Sequence, residues 1–439
     1  MKNGNLKVGF CSLGCPKNRV DGEELLGVLR GAGLAVTSVA GEADLLVVHT
    51  CAFIGPAKEE AVATILEMAR YKAEGHCRGL VVTGCLAERY GRELASELPE
   101  VDAVLGAESR QSLLGVVAKL LDLEIGAADT TARMLTTPQH FAYLKLAEGC
   151  DLNCSFCAIP GFKGPYRSRP LEQVVGEAEE LAARGVRELV LVAQNTTAYG
   201  RDLAPSTDLA AALRRLAAVP GPVWLRVMYA HPGQVTDELV RVMAEEGKVC
   251  PYLDLPLQHG SPRILRAMHR PDRPEESVRL VEELRRRVPR LALRSSFIVG
   301  FPGETEEDFG ELVAHVQELA PDRVGIFTYS REEGTPAAGL PNQVPEELKL
   351  ERQAYLAAQS ASLSRRRLQG RIGQELPVVV EGRRAGRMTG RTILDAPEVD
   401  GRIYLKGQAV PPGTFGVARI TGCSDYDLFG QLIGGRPAS

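Results

Sequence analysis

Several absences narrow this 439-residue sequence before any motif is read. No uninterrupted apolar run approaches the ~18 residues of a membrane-spanning helix. Residues 1–14 lack a basic segment followed by an apolar core and a small-residue cleavage site, so no signal peptide is expected. No excess of positive charge marks the chain: the net charge of -4 removes the whole-chain signature of a nucleic-acid binder. Low-complexity tracts are missing, as is any repeat longer than a strand–helix unit. No Gly-x4-Gly-Lys-Ser/Thr loop occurs, which excludes a P-loop. What remains is a soluble, cytoplasmic globular chain, 44% hydrophobic and 25% charged, of about three domains. Its ten cysteines then matter. In a reducing compartment, clustered cysteines read as metal ligands or redox groups before disulfides.

The patterning predicts an α/β protein in three parts. Over 5–122, strands at 6–10, 44–49 and 79–83 alternate with helical patterns at 21–32, 57–71 and 87–98. That alternation predicts a doubly wound, mostly parallel sheet. A polar stretch, 125–140, reads as a linker. Over 136–367, six strands (142–146, 188–192, 223–228, 252–256, 291–299, 323–329) are separated by helical patterns. These predict a (β/α)6 partial TIM-like barrel, with chemistry at the C-terminal strand ends. Thr305 is an expected N-cap. Over 368–435 short alternating runs broken by turns predict a small antiparallel β-barrel, OB-like, of a kind used for substrate recognition. With nine basic and seven acidic residues over 370–439, this last part is nearly neutral.

The sharpest motif is Cys150-x3-Cys154-x2-Cys157, immediately after the first barrel strand. Thiolates hold iron–sulfur clusters, and one short loop lets three sulfurs converge. With no fourth cysteine nearby, a cubane held here keeps one iron open to substrate. The alternative is a structural zinc site with His140 or a distant residue as fourth ligand, in a non-catalytic RNA-binding protein.

Three more cysteines follow strands of the first part: Cys15 after LKVGF, Cys51 after LLVVHT and Cys85 after GLVVTG. In an open parallel sheet the C-terminal strand ends line the ligand crevice, so these thiols can converge although they lie 36 and 34 residues apart. The plain alternative is three buried free thiols.

The motif CDLNCSFC after the first strand of a β/α barrel resembles the radical-SAM superfamily. The resemblance implies a 4Fe–4S cluster on Cys150, Cys154 and Cys157, whose open iron chelates S-adenosylmethionine and yields a 5′-deoxyadenosyl radical. Phe156 occupies the aromatic position beside the adenine. By position, Gln194 resembles the residue holding the methionine amino group, and IVGFPGE, with Gly300 and Glu304, the segment lining the adenosyl moiety. Gln258, Arg294 and Ser296 are further expected cofactor contacts, Arg294 by pairing its planar fork with the methionine carboxylate.

The segments SLGCPKNRVDGE, TCAFIGPAKEE and TGCLAERY resemble the methylthiotransferase family, which implies a second 4Fe–4S cluster on Cys15, Cys51 and Cys85. Two departures stand out: Gly22 where that family has serine, and His49 where it has asparagine. Cys11, Cys77, Cys250 and Cys423 form no pattern and receive no role.

Across the whole chain, PYLDLPLQHGSPRIL, YSREEGTPAA, LDAPEVDG and SDYDLFG most resemble the branch that modifies an aspartate of ribosomal protein S12. The other main branch modifies a tRNA adenosine and carries Gln-Met-Asn where this chain has Pro16-Lys17-Asn18. The resemblance implies a TRAM-type terminal barrel. It also implies S-adenosylmethionine used twice, as methyl donor and as radical source, with hydrogen taken from the aspartate β-carbon. Expected partners are S12, free or in the small ribosomal subunit, an electron donor such as flavodoxin or ferredoxin, and a sulfur donor of unknown identity. No membrane partner is expected. Acidic segments such as LDAPEVDG suit a basic ribosomal protein through steering.

Overall fold

The computed structural model describes residues 6–106, 110–124 and 133–436. Part of the expected linker, 125–132, lies outside the described residues. The chain divides into two compact units. The first comprises Met1–Thr137 with the short segments Ala158–Gly164 and Ser330–Gly334; the second comprises the rest. Among the described residues no helix is long and apolar enough to cross a membrane.

The first unit is built on five parallel strands: β1 (Lys7–Ser12), β2 (Ala35–Thr37), β3 (Leu45–Thr50), β4 (Gly79–Gly84) and β5 (Ala103–Leu105), in the order β2-β1-β3-β4-β5. Helices α1 (Pro16–Gly31), α2 (Gly55–Glu74), α3 (Cys85–Glu97) and α4 (Arg110–Leu121) connect and cover them, with α5 (Ile159–Lys163) as a short addition. Strands β3 and β4 are buried at every position, as sheet strands covered on both faces must be. Alternation along β3 splits the core. Leu45 and Val47 pack with Leu25, Leu29 and Val117 on one face; Leu46 and Val48 pack with Ile65 and Leu86 on the other. The edge strands β2 and β5 escape sequence reading because three residues show no period. Chain order reverses between β1 and β3, which makes that crevice the topological switch point.

In the second unit six parallel strands follow one another in sequence order: β6 (Phe141–Lys145), then, past the small pair β7 (Ala147–Glu148) and β8 (Arg167–Ser168), β9 (Glu188–Val192), β10 (Trp224–Val227), β11 (Val249–Asp254), β12 (Ala292–Val299) and β13 (Arg323–Thr328). Helices α6 (Leu171–Ala183), α7 (Leu209–Ala217), α8 (Asp237–Glu245), α9 (Pro262–Ala267), α10 (Pro274–Arg287) and α11 (Glu306–Leu319) intervene. Thr305 caps α11 in a reciprocal box with Asp308, as its sequence predicts. The short α9 was not expected, and it proves to hold a cysteine loop.

Helix α12 (Glu346–Gln369) leads to a closed barrel of β14 (Glu375–Arg384), β15 (Arg387–Thr392), β16 (Ile403–Lys406), β17 (Phe415–Cys423) and β18 (Leu428–Arg436). It is not wholly antiparallel. β17 returns to pair with β14, so β18 closes the gap beside β16, and those two run parallel. Residues 391–400 fill the N-terminal end of the six-stranded sheet. Glu188 lies fully buried between Arg226 (2.8 Å) and Arg391 (2.6 Å). Asp400 accepts hydrogen bonds from Tyr252 Oη (2.8 Å) and Arg294 Nη1 (2.9 Å), Glu398 from Tyr143 Oη (2.8 Å), and Asp395 pairs with Arg323.

Candidate functional site

The loop carrying Cys150, Cys154 and Cys157 follows β6 and β7 and is pinned from outside. Ser155 donates from its amide to Met268 O (2.9 Å) and from its hydroxyl to Ala267 O (2.7 Å) at the end of α9, and Ala337 N donates to Ser155 O (2.8 Å). His269 Nδ1 donates to Asn153 O (3.1 Å). Burial pushes the thiols of Cys150 and Cys154 up. Against this, the positive charge of nearby Arg270 favours the Cys154 thiolate. Arg270 is itself held by Asp272 (2.7 Å) and Pro256 O (3.1 Å). His231 sits 4.0 Å from Asp272, and burial with the nearby Arg270 cation pushes its imidazole down to about 4. Sequence reading missed Arg270 and Asp272, which follow no strand; only folding of α9 brings them to the cysteines.

The zinc alternative calls for a fourth ligand beside the three cysteines. Among the described residues no group of three or more His, Cys, Asp or Glu side chains is placed to hold a single metal ion. The fourth ligand suggested for it, His140, pairs through Nε2 with Glu381 (3.1 Å). A cubane distributes three thiolates over three irons, so it does not demand the tight sulfur contacts of a tetrahedral ion at about 2.3 Å bond length.

The expected cofactor contacts divide. Phe156 is half-buried against Ile264, Met268, Phe301 and Tyr329. Gln194, just past β9, donates Nε2 to Glu148 Oε1 (2.5 Å), while its Oε1 is buried with no hydrogen-bond partner among the described residues. A buried acceptor left so fits a donor such as an ammonium group. Gln258 has a left-handed backbone (φ 71°), and its main chain bonds Ser296 O (2.9 Å) and Ile298 N (2.8 Å). Ser296 faces Gly325, where an added Cβ would lie 3.1 Å from its hydroxyl.

Three residues acquire different explanations. Gly300 (φ 71°) is demanded by the stem of Lys349, which a Cβ there would strike. Glu304 is buried and fully engaged: it accepts from the amides of Gly300 (2.9 Å) and Phe301 (3.3 Å) and from Arg352 (2.8 Å), and pairs with His259 (3.2 Å). It shapes the turn. Arg294 lies in the N-terminal half of β12 with Asp400 at 2.9 Å and Asp254 at 3.7 Å, which hold its guanidinium charged. Its fork is already occupied by carboxylates at the end of the sheet opposite Cys150, so the methionine-carboxylate role expected for it is withdrawn.

In the first unit Cys15 and Cys51 follow β1 and β3, on either side of the switch point, and Cys85 follows β4. Cys15 is the N-cap of α1 and Cys85 opens α3; the amide-rich start of a helix favours negative charge. One side chain joins the three segments. Asn18 is buried and donates Nδ2 to Leu13 O (2.6 Å) and Thr50 O (3.2 Å), and its Oδ1 accepts from the Cys85 thiol (3.6 Å). Gly14 (φ 100°) lies so close to Cys51 that a Cβ there would meet the Cys51 Cβ at 2.8 Å. Burial pushes the Cys85 thiol up to about 12, with Lys163 opposing and Cys15 and Cys51 adding to the rise. Thiols that feel one another's charge, with Cys51 and Cys85 buried and Cys15 half-buried, are suited as thiolates to holding a cationic group. Cys11 instead has Glu67 and Glu60 as charged neighbours, and Cys77 donates to Gly79 O (3.3 Å).

Comparison with known proteins adds three family matches: the radical SAM superfamily over residues 144–316, an uncharacterized protein family, UPF0004, over 7–106, and the TRAM domain over 372–433. A ribosomal protein uS12 methylthiotransferase RimO from Pelotomaculum thermopropionicum is 47% identical, covering 98% of this chain and 99% of that protein. The protein of the same name from Heliobacterium modesticaldum is 49% identical (98% and 95%), and that from Geobacter sulfurreducens 45% (99% and 100%). Among solved structures, the radical S-adenosylmethionine methyltransferase TsrM from Kitasatospora setae has a TM-score of 0.56 at 18% identity, over 76% of this chain and 77% of that one, a likeness of fold.

Proposed function

The chain belongs to the RimO family of ribosomal protein uS12 methylthiotransferases, radical SAM enzymes with a TRAM domain, and on that premise we propose that it places a methylthio group on the β-carbon of an aspartate of uS12 in the cytoplasm. The observation that carries the reading is the presence, in a chain that spans nearly the whole length of these relatives, of two separate cysteine triads. One is a pinned loop that follows the first strand of a six-stranded parallel sheet; the other is assembled at a sheet's switch point and braced by Asn18.

Membership of the radical SAM superfamily implies a 4Fe–4S cluster and S-adenosylmethionine. We assign the first cluster to Cys150, Cys154 and Cys157, and a second to Cys15, Cys51 and Cys85. When bound, these groups supply a carbon-centred radical and a site for the sulfur to be transferred. The protein's share is orientation. Arg270 offsets the negative charge of the Cys154 thiolate. Gln194, fixed by Glu148, presents Oε1 as an acceptor for the methionine ammonium. Phe156 offers an apolar face to the adenine, while Gln258 and Ser296 lie along the same rim. A β-carbon hydrogen of aspartate has little acidity, so a general base would not serve, and no such base is invoked. Flavodoxin or ferredoxin is the electron donor we expect.

Anaerobically reconstituted protein, incubated with uS12, S-adenosylmethionine, sulfide and dithionite, should replace one hydrogen of a single uS12 aspartate by a methylthio group, read as the corresponding rise in mass. Modification of tRNA with uS12 untouched would overturn the assignment of substrate.

A further inference from the structure

His49 is wholly buried at the end of β3, two residues before Cys51. Its ring occupies a slot flanked by two glycines, at each of which a side chain would press on it. A Cβ added at Gly22 of α1 would lie 3.3 Å from His49 Cδ2, and one at Gly84, directly before Cys85, 3.2 Å from His49 Cε1. Phe10 of β1 stacks on the ring (centroids 6.1 Å, 28°). His49 Nε2 lies 3.0 Å from Asn18 O. A carbonyl only accepts, so Nε2 carries the proton and the tautomer is set. The His49 carbonyl in turn accepts from Leu13 N (2.8 Å). One imidazole therefore sits among the three segments that carry Cys15, Cys51 and Cys85, and it bonds the main chain of the residue whose side chain ties those segments together.

We propose that His49, seated between Gly22 and Gly84, is a positioning residue for the N-terminal triad: it fixes Asn18, and Asn18 holds the three cysteine segments in register. The proposal deepens the reading that this triad holds a cluster, and rests on it. Three strand ends have no covalent reason to keep their spacing, whereas a loop of eight residues does. The Asn18 bonds to Leu13 O and Thr50 O involve no thiol, so the brace persists when the cysteines lose their protons. The Cys85 bond alone ends then. Groups that orient metal ligands from behind typically contribute ~10–100-fold in metal affinity.

The test uses the full chain carrying Cys150/Cys154/Cys157→Ala, so that only the N-terminal triad is counted, with His49→Ala, Gly22→Ala, and Gly22→Ala combined with His49→Gln. Iron and sulfide content, the EPR signal of the reduced cluster, iron release to a chelator and apo-protein melting are measured after anaerobic reconstitution. We expect about four irons in the background chain. His49→Ala and Gly22→Ala should each release iron about tenfold faster, with an altered EPR signal. The double change should restore slow release, because a flexible glutamine yields to the methyl of Ala at position 22 and its amide reaches as far as Nε2 to offer an N–H to Asn18 O. Unchanged release and EPR in both single variants would overturn the proposal. So would a failure of the double change to restore slow release if the single variants melt early. A background chain without iron would sink the cluster reading itself, and this proposal with it.

Discussion

The two cysteine triads present the same donor set by opposite means. Cys150, Cys154 and Cys157 share one loop, and the protein only has to pin that loop, through Ser155 to the end of α9 and through Ala337. Cys15, Cys51 and Cys85 come from three strands and converge only because the sheet order places β1, β3 and β4 side by side. The local triad is a property of sequence spacing; the distributed one is a property of sheet register, with Asn18 as its fastening. Perturbations should therefore separate them.

The largest separation is expected from Glu188→Ala. It leaves the buried guanidiniums of Arg226 and Arg391 without their shared carboxylate, at a cost of about 3–5 kcal/mol. In thermal melts followed by cluster absorbance, the second unit should unfold early while the Cys15/Cys51/Cys85 cluster persists. Leu46→Ala is the converse. It opens a cavity beneath β3, costs about 2–5 kcal/mol, and should speed iron loss from the distributed triad with the local one unaffected.

Acid should act on the second unit next. Burial pushes His231 and His315 down to about 4 in the folded protein. Between about 6.5 and about 4 the unfolded chain therefore binds more protons than the folded one. Their stabilising effect is present above the unfolded value and is lost as pH falls through this window. Urea melts at several pH values should show the slope, and His315→Gln should flatten it. Smallest is Ser155→Ala, which removes one hydroxyl bond to Ala267 O. The cost is about 0.5–1.5 kcal/mol, read as a modest rise in iron release from the local triad alone.

The same contrast explains what the sequence disclosed. The six strands of the second unit and their helices were legible because each strand is a compact apolar run followed by an amphipathic helix. Both proposed triads were named from the sequence, one by spacing and one by its place after three strands. The edge strands β2 and β5 were too short to show a period. Arg294 was misassigned because alternation along β12 gives the inward face, which it shares with Ser296, but not the height along the strand. Its partner Asp400 lies 106 residues away. Gly300 reads equally well as clearance for a cofactor or for a side chain, and only packing identifies the Lys349 stem. Asn18 and Arg270 carried no signal of their own: each gains meaning from the segments that folding gathers around it.

The most direct measurement is iron and sulfide content, with a visible spectrum, of anaerobically purified wild type, the Cys150/Cys154/Cys157→Ala variant and the Cys15/Cys51/Cys85→Ala variant. Two independent cubanes require about eight irons in the first and about four in each of the others. Zinc without sulfide or visible absorbance in the wild type would contradict the radical mechanism and both cluster assignments.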